Sequence, residues 1–167
     1  MEFWLQGPLP DISEPLMPAA HALLQTRQEL HKAMDGFPAG LLWQGPGGAA
    51  SVGFHLRHIA GSTERLLAYA RGEQLSAAQL EASRLEAETA NATESVAALL
   101  ANTDRAIDAA LEAIRAAHPD ELYSPREVGR LRLPSTLHGV LSHVAEHARR
   151  HCGQVVATAK IVRGLSS

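Results

Sequence analysis

Residues 142–156, SHVAEHARRHCGQVV, contain the clearest pattern in this chain, because His143, His147 and His151 recur at every fourth position. One turn of an α-helix holds about 3.6 residues, so side chains spaced i, i+4 and i+8 stay on one side of a helix. The pattern therefore predicts a last helix, over residues 135–162, that carries a line of imidazoles along one side.

The composition of the whole chain favours an all-α fold. Of the 167 residues, 46% are hydrophobic but only 4% are aromatic, so Leu, Ala, Val and Ile must build the core. This mixture is natural for packed helices and poor for a sheet. A chain of this length fits one domain, and we predict a single domain over residues 1–167, with residues 1–13 as an extended N-terminal arm.

Charge and cysteine content exclude several classes of protein. The 15 basic and 18 acidic residues give a net charge of -3, which lacks the basic excess that nucleic-acid binding requires. Cys152 is the single cysteine, so no internal disulfide is expected. The first residues lack a basic segment followed by an apolar run, and no stretch of about 18 apolar residues occurs. We therefore expect no membrane partner and a cytoplasmic location.

Capping residues, glycines and prolines divide the chain into four long helices and one short connecting helix. Alternating apolar residues between Pro119 and Pro134 indicate a small hairpin or an extended crossover before the last helix. With no repeat or linker, the four long helices should form one bundle. The first predicted helix begins after an N-cap at Ser13 or Asp11 and ends at about Asp35, and the second covers Val52–Arg71 after an N-cap at Ser51. The short helix runs from Ser76 to about Ala87 and begins with an S-x-x-Q capping box. The next long helix is capped by Thr93 and ends at His118.

The last helix has an apolar seam that tells which histidines face inward. At 100° per residue, His151 lies roughly 65° from the seam centre, His147 about 105° and His143 about 145°. His147 and His151 are therefore the inward pair. The seam consists of Leu137, Leu141, Val144, Ala148, Val155 and Ala159.

Two histidines at i and i+4 can chelate one cation, because both imidazole nitrogens converge without distorting the helix. A third ligand can come from the second helix, where residues 50–62, ASVGFHLRHIAGS, contain His55 and His58, with His58 at the inner edge. Three histidines leave coordination positions open, as in catalytic sites. Nitrogen ligands suit Zn, Ni, Fe(II) or Cu and fit Ca or Mg poorly.

A structural interpretation of these histidines competes with the metal site. The chain has nine histidines, so an i, i+4 pair also arises by chance, and the imidazoles could simply hydrogen-bond one another. Neither Glu64 nor Glu146 is placed as a general base, and Glu146 should lie on the solvated face. Cys152, close to the seam, is better explained as a small buried side chain than as a nucleophile.

The segments SVGFHLRHI (51–59) and HVAEHARRHCGQ (143–154) resemble the two signature segments of the DinB-like superfamily, which includes YfiT-like hydrolases and thiol-dependent transferases. The resemblance covers most of the chain. It implies an up-down-down-up four-helix bundle with a divalent metal, often Ni or Zn, held by His58, His147 and His151. His143 matches a frequent family histidine that is not a ligand, and relatives are commonly dimers.

We therefore expect a metal-dependent enzyme that hydrolyses a small molecule or transfers a small group, with water or a low-molecular-weight thiol as nucleophile. The alternative is a non-catalytic, stress-associated protein that binds metal or a small molecule. Apolar residues outside the seam, such as Val156 and Leu99, also predict a homodimer. The sequence leaves the substrate and the physiological metal open, as well as the roles of His55, His143 and Cys152.

Overall fold

The computed structural model describes residues 1–89 and 92–166, and within these ranges the chain forms five α-helices and a two-stranded antiparallel hairpin. The mostly helical class is confirmed, and so is the hairpin before the last helix. None of the helices in these ranges has the length and apolar character needed to cross a membrane. The elements are α1 (Met17–Met34), α2 (Val52–Ala70), α3 (Ala77–Leu85), α4 (Val96–Ala116), β1 (Pro125–Val128), β2 (Leu133–Thr136) and α5 (Leu137–Leu165).

Serine caps begin three of these helices. The hydroxyl of Ser51 accepts a hydrogen bond from the backbone N–H of Phe54, and Ser76 forms the predicted capping box with Gln79. The predicted cap of α4 at Thr93 is wrong, because the hydroxyl of Ser95 accepts the N–H of Ala98 instead. Several hydroxyl residues precede α4, and the start of the helical backbone decides which of them caps it.

The N-terminal residues differ from the predicted extended arm. Phe3–Leu5 form a short 3-10 turn, and the backbone N–H of Phe3 donates to the side chain of Gln25 on α1. Ile12 is buried, so this segment folds back on α1. Ser13 does not cap α1, since a 3-10 turn over Glu14–Leu16 comes between them and its side chain makes no capping bond.

The hairpin leads directly into α5. Its strands pair from Pro125 with Thr136 to Val128 with Leu133, and Gly129 opens the turn with a φ of 74°, which glycine adopts readily. The hydroxyl of Thr136 at the end of β2 then accepts the N–H of Gly139 and caps α5. The hairpin thereby determines where the histidine-bearing helix begins.

Helix packing brings α2 beside α5. The principal contacts join α2 with α5, α1 with α5, α2 with α4, and α1 with α4. All six residues of the predicted α5 seam are buried in the shared core, which confirms the orientation of that helix. The largest fully buried side chains are Leu16, Leu23, Leu30, Leu42, Leu56, Ile59, Leu99, Ile107, Ile114, Leu122 and Leu141.

Candidate metal centre

Histidines from α2 and α5 meet where these two helices pack together. His58, His147 and His151 each offer one ring nitrogen, and the three nitrogens lie within 4.8 Å of one another. Nε2 of His58 is 3.0 Å from Nε2 of His147. The ring centre of His151 lies 4.5 Å from that of His58 and 4.6 Å from that of His147. The structure therefore brings together the three residues that the sequence indicated as metal ligands.

The two helices run in opposite directions at this point. His55 contacts His151, whereas His58, one turn later on α2, contacts His147, one turn earlier on α5. The two histidines of α2, three residues apart, therefore face two histidines of α5 that are four residues apart. The ring of Phe54 stacks on His58 with 5.5 Å between the ring centres and covers one face of the His58 ring.

A buried carboxylate binds the outer nitrogen of His58. Oε2 of Glu86, at the C-terminal end of α3, lies 2.7 Å from Nδ1 of His58, and Arg65 contacts both oxygens of the same carboxylate. Burial alone would raise the pKa of Glu86, but the hydrogen bonds from His58 and Arg65 outweigh burial and lower it below its usual value. Glu86 is therefore ionised and accepts a hydrogen bond from the Nδ1–H of His58. In neutral His58, Nε2 then carries the lone pair.

His55 occupies the corresponding position beside His151. Their Nδ1 atoms are 3.0 Å apart, so this contact uses Nδ1 of His151 and leaves Nε2 of that ring available. His55 is buried. Its pKa is lowered mainly by burial and, to a smaller extent, by electrostatic repulsion from the neighbouring His58. His55 is thus a hydrogen-bond partner of the cluster rather than a member of it, a role that the sequence left open.

The inward histidines of α5 are neutral at physiological pH. Burial, followed by the neighbouring His58, lowers the pKa of His147 to about 4. Burial, followed by His58 and His147, lowers the pKa of His151 to about 4. Because a cation binds the neutral imidazole, both side chains are in the binding form without first losing a proton.

The residues present fit a bound cation. Two nitrogens held at about 2.0–2.1 Å from one ion lie roughly 2.9–3.4 Å apart, and the separation between His58 and His147 is within that range. If hydrogen bonding alone explained the cluster, His147 would donate from Nε2 to His58 and its Nδ1 would need a donor. Nδ1 of His147 is buried and has no such partner among the described residues. Within this part of the chain, that nitrogen is unpaired whether Nε2 of His147 donates to His58 or binds a cation, so the fit of a cation depends on the distance between the two Nε2 atoms.

The remaining residues singled out in the sequence lie outside the cluster. His143 is half-exposed and binds Glu146 at 2.7 Å, and Glu146 also pairs with Arg150 on the solvated face. Cys152 is fully buried, and burial raises the pKa of its thiol to about 12, which excludes a reactive thiolate at neutral pH. These positions agree with the sequence-based interpretation of Glu146 as a residue of the solvated face and of Cys152 as a small buried side chain.

A family comparison matches the same part of the chain. The sequence model of the DinB superfamily matches residues 22–155, from α1 through most of α5, and this range includes the three clustered histidines. The chain belongs to the DinB superfamily. Among curated proteins, no sequence matches this chain. Membership in the DinB superfamily and the clustered imidazoles together suggest a metal-binding site.

Glu86 is the residue of this DinB superfamily protein that sequence reasoning missed. It lies in a stretch rich in glutamate, close to Glu81, Glu88 and Glu94, inside the short helix from Ser76 to about Ala87 that the sequence indicates as a connection. No local pattern distinguishes one of these carboxylates from the others. Only the packing of Glu86 against α2 shows which one reaches His58.

Proposed function

We propose that this protein binds one divalent cation through His58, His147 and His151 and acts as a metal-dependent enzyme on a small molecule. The reaction would be hydrolysis or transfer of a small group to a low-molecular-weight thiol. The observation that carries this proposal is the convergence of three imidazole nitrogens, two of them from side chains held neutral. The all-nitrogen set favours Zn, Ni or Fe(II) as the metal.

The chemistry follows from what the cation and the side chains can each supply. A bound divalent ion lowers the pKa of a water molecule or thiol that reaches it, which generates a nucleophile at neutral pH. The histidines hold their nitrogens in place, and Phe54 covers one side of the His58 ring. Glu86 does not act as a general base, because both of its oxygens are already engaged by His58 and Arg65.

The same observation about Glu86 favours one alternative function. The carboxylate that contacts the cluster is not free to accept a proton from a substrate or nucleophile, and Glu146 faces solvent beside His143. A site of this kind also suits a non-catalytic protein that sequesters a metal or a small molecule in a stress response. Turnover distinguishes this alternative from the enzyme.

We expect metal-dependent turnover when metal-loaded protein is assayed against hydrolysable small molecules and, separately, against electrophiles with candidate thiols. Because the cation would activate the nucleophile, chelation and the His58→Ala variant should both abolish the reaction. His143→Ala is the matched control and should retain activity, since His143 lies outside the cluster. Full metal occupancy without turnover of any substrate in the panel would support the sequestering alternative instead.

The arrangement and assembly of the helices are also part of the proposal. The four long helices, α1, α2, α4 and α5, would form the up-down-down-up bundle of the family, which accords with their pairwise packing.

One reason for expecting a homodimer is wrong, because Leu99 is buried in the core of the chain itself. The large apolar side chains of Trp4, Leu131 and Ile161 are exposed, and burying them against a second copy would remove apolar surface from water.

We expect light scattering at micromolar concentration to give about twice the 17.9 kDa mass of one chain. The physical reason is that a second copy would remove exposed apolar side chains from water. Serial dilution provides the control, since the mass of a dimer in equilibrium falls with concentration. A mass that stays near 17.9 kDa at every concentration would contradict the dimer.

A further inference from the structure

The buried carboxylate of Glu86 reaches the histidine cluster from outside the long helices. Glu86 follows directly after α3, is only 7% exposed, and places Oε2 2.7 Å from Nδ1 of His58. A buried carboxylate is unfavourable unless hydrogen bonds compensate for lost hydration. Its position therefore depends on the side chains and space that surround it.

Two features of α2 shape the place where Glu86 lies. Arg65, two turns after His58, contacts both carboxylate oxygens and balances the charge. Gly61 provides the space, because a Cβ atom at this position would collide with Oε1 of Glu86. Glycine in the interior of a helix is less favourable than alanine, so its presence here agrees with a need for close approach.

Arg57 holds the backbone around Glu86. Its guanidinium donates to the carbonyl oxygens of Glu86 and Glu88 at 3.2 and 3.1 Å, and to the side chain of Glu94 at 2.7 Å. The same guanidinium lies 4.7 Å from the ring centre of Trp43. Arg57 thus binds Glu86, Glu88 and Glu94 to the helix that bears His58.

We propose that Glu86 is a positioning residue of the metal site and that Gly61 and Arg65 serve to place it. Glu86 keeps the proton of His58 on Nδ1, so that Nε2 presents its lone pair toward His147. It also fixes the orientation of the ring and increases the basicity of Nε2. This proposal deepens the proposed function and rests on it for the identity of the ligand.

An ion pair that only stabilises the fold would explain fewer of these observations. Arg65 could be neutralised by a carboxylate that does not touch His58, and such a pair would not need a glycine at position 61. The contact of Oε2 with Nδ1 adds an effect that fold stability alone does not produce, namely the choice of tautomer of His58. That tautomer can be measured without any metal.

The first measurement is the nitrogen NMR spectrum of the histidine rings in metal-free protein. Wild type should show His58 protonated at Nδ1. Glu86→Ala should shift the proton population of His58 toward Nε2, whereas Glu86→Gln should largely retain Nδ1 protonation because the amide oxygen still accepts. Gly61→Ala should act like Glu86→Ala by displacing the carboxylate. Gly153→Ala, in α5 with open space around it, and Glu88→Gln are the matched controls and should resemble wild type.

The second measurement is Zn²⁺ affinity, determined by competition with a chromophoric chelator. Loss of the outer partner of a ligating histidine weakens metal binding by about 10- to 100-fold, so we expect a loss of this size for Glu86→Ala and Gly61→Ala. The two control variants should keep wild-type affinity. Wild-type tautomer and wild-type affinity in Glu86→Ala would overturn the proposal.

The two measurements also separate this proposal from the proposed function. If wild type binds no Zn²⁺, the metal-dependent function fails, yet the tautomer of His58 still reports on Glu86. If wild type binds Zn²⁺ and the Glu86→Ala variant matches it in both measurements, only the role of Glu86 is refuted. Circular dichroism of each variant verifies that the helices remain folded.

Discussion

Replacing His147 with alanine is expected to remove the metal from this protein, whereas replacing His143 should leave it in place. Nε2 of His147 faces Nε2 of His58 at 3.0 Å, so its loss removes one of three convergent nitrogens. Loss of a ligand should weaken binding by more than the roughly 10- to 100-fold associated with an outer hydrogen-bond partner. Elemental analysis of protein purified without a histidine tag should show about one divalent ion per wild-type chain and almost none in His147→Ala.

His143→Ala is a close control for this experiment, because it removes the same side chain one helical turn earlier on α5. His143 is half-exposed and bound to Glu146, so its removal leaves the cluster intact. Undiminished metal in His147→Ala would refute the ligand assignment. Equal loss of metal in both variants would mean that the assignment is displaced by one turn.

The second large effect is stabilisation of the fold by the metal. The proposed ligands belong to α2 and α5, so a cation would tie together two helices that are distant in sequence. Free metal at 100 times its dissociation constant would stabilise the folded state by about 2.7 kcal/mol. For a chain of this length, that free energy corresponds to a rise of roughly 5–10 °C in the unfolding midpoint. Calorimetry of metal-loaded and chelator-treated protein at pH 8 measures this difference.

The pKa values of the α5 histidines determine how this stabilisation depends on pH. His147 and His151 have a pKa of about 4 in the folded protein, compared with 6.5 for an unperturbed histidine. Between these values the unfolded chain binds more protons, so the metal-free protein loses stability as pH falls from 6.5 towards 4. At pH 4 both side chains are about half protonated and must release protons to bind a cation. The difference between metal-loaded and metal-free protein should therefore be smaller at pH 4 than at pH 8.

Equal midpoints at pH 8, with metal present in one sample and absent from the other, would show that the cation does not bridge α2 and α5. His151→Gln is a useful control for the pH dependence of the metal-free protein. It removes one of the two depressed histidine pKa values, so its stability should fall less steeply between pH 6.5 and pH 4.

Much of the fold could be read from local patterns. The spacing of apolar residues predicted α5 and its seam, and Ser51 and the capping box at Ser76 predicted where α2 and α3 begin. These features depend on the geometry of one helix and its first turn, which a few neighbouring residues determine. The cap of α4 was misplaced at Thr93 because several hydroxyl residues stand close together before that helix.

The sequence by itself determined which histidines of α5 face inward, and it indicated that His58 could join them. Tertiary structure alone decided what surrounds them. Glu86 lies 28 residues after His58 and His55 lies 96 residues before His151, yet both make hydrogen bonds to the cluster. The physical reason is that a helical face follows from spacing along one segment. The partner of a buried nitrogen follows from how separate segments pack, and here a glycine on α2 leaves the space that one glutamate among several occupies.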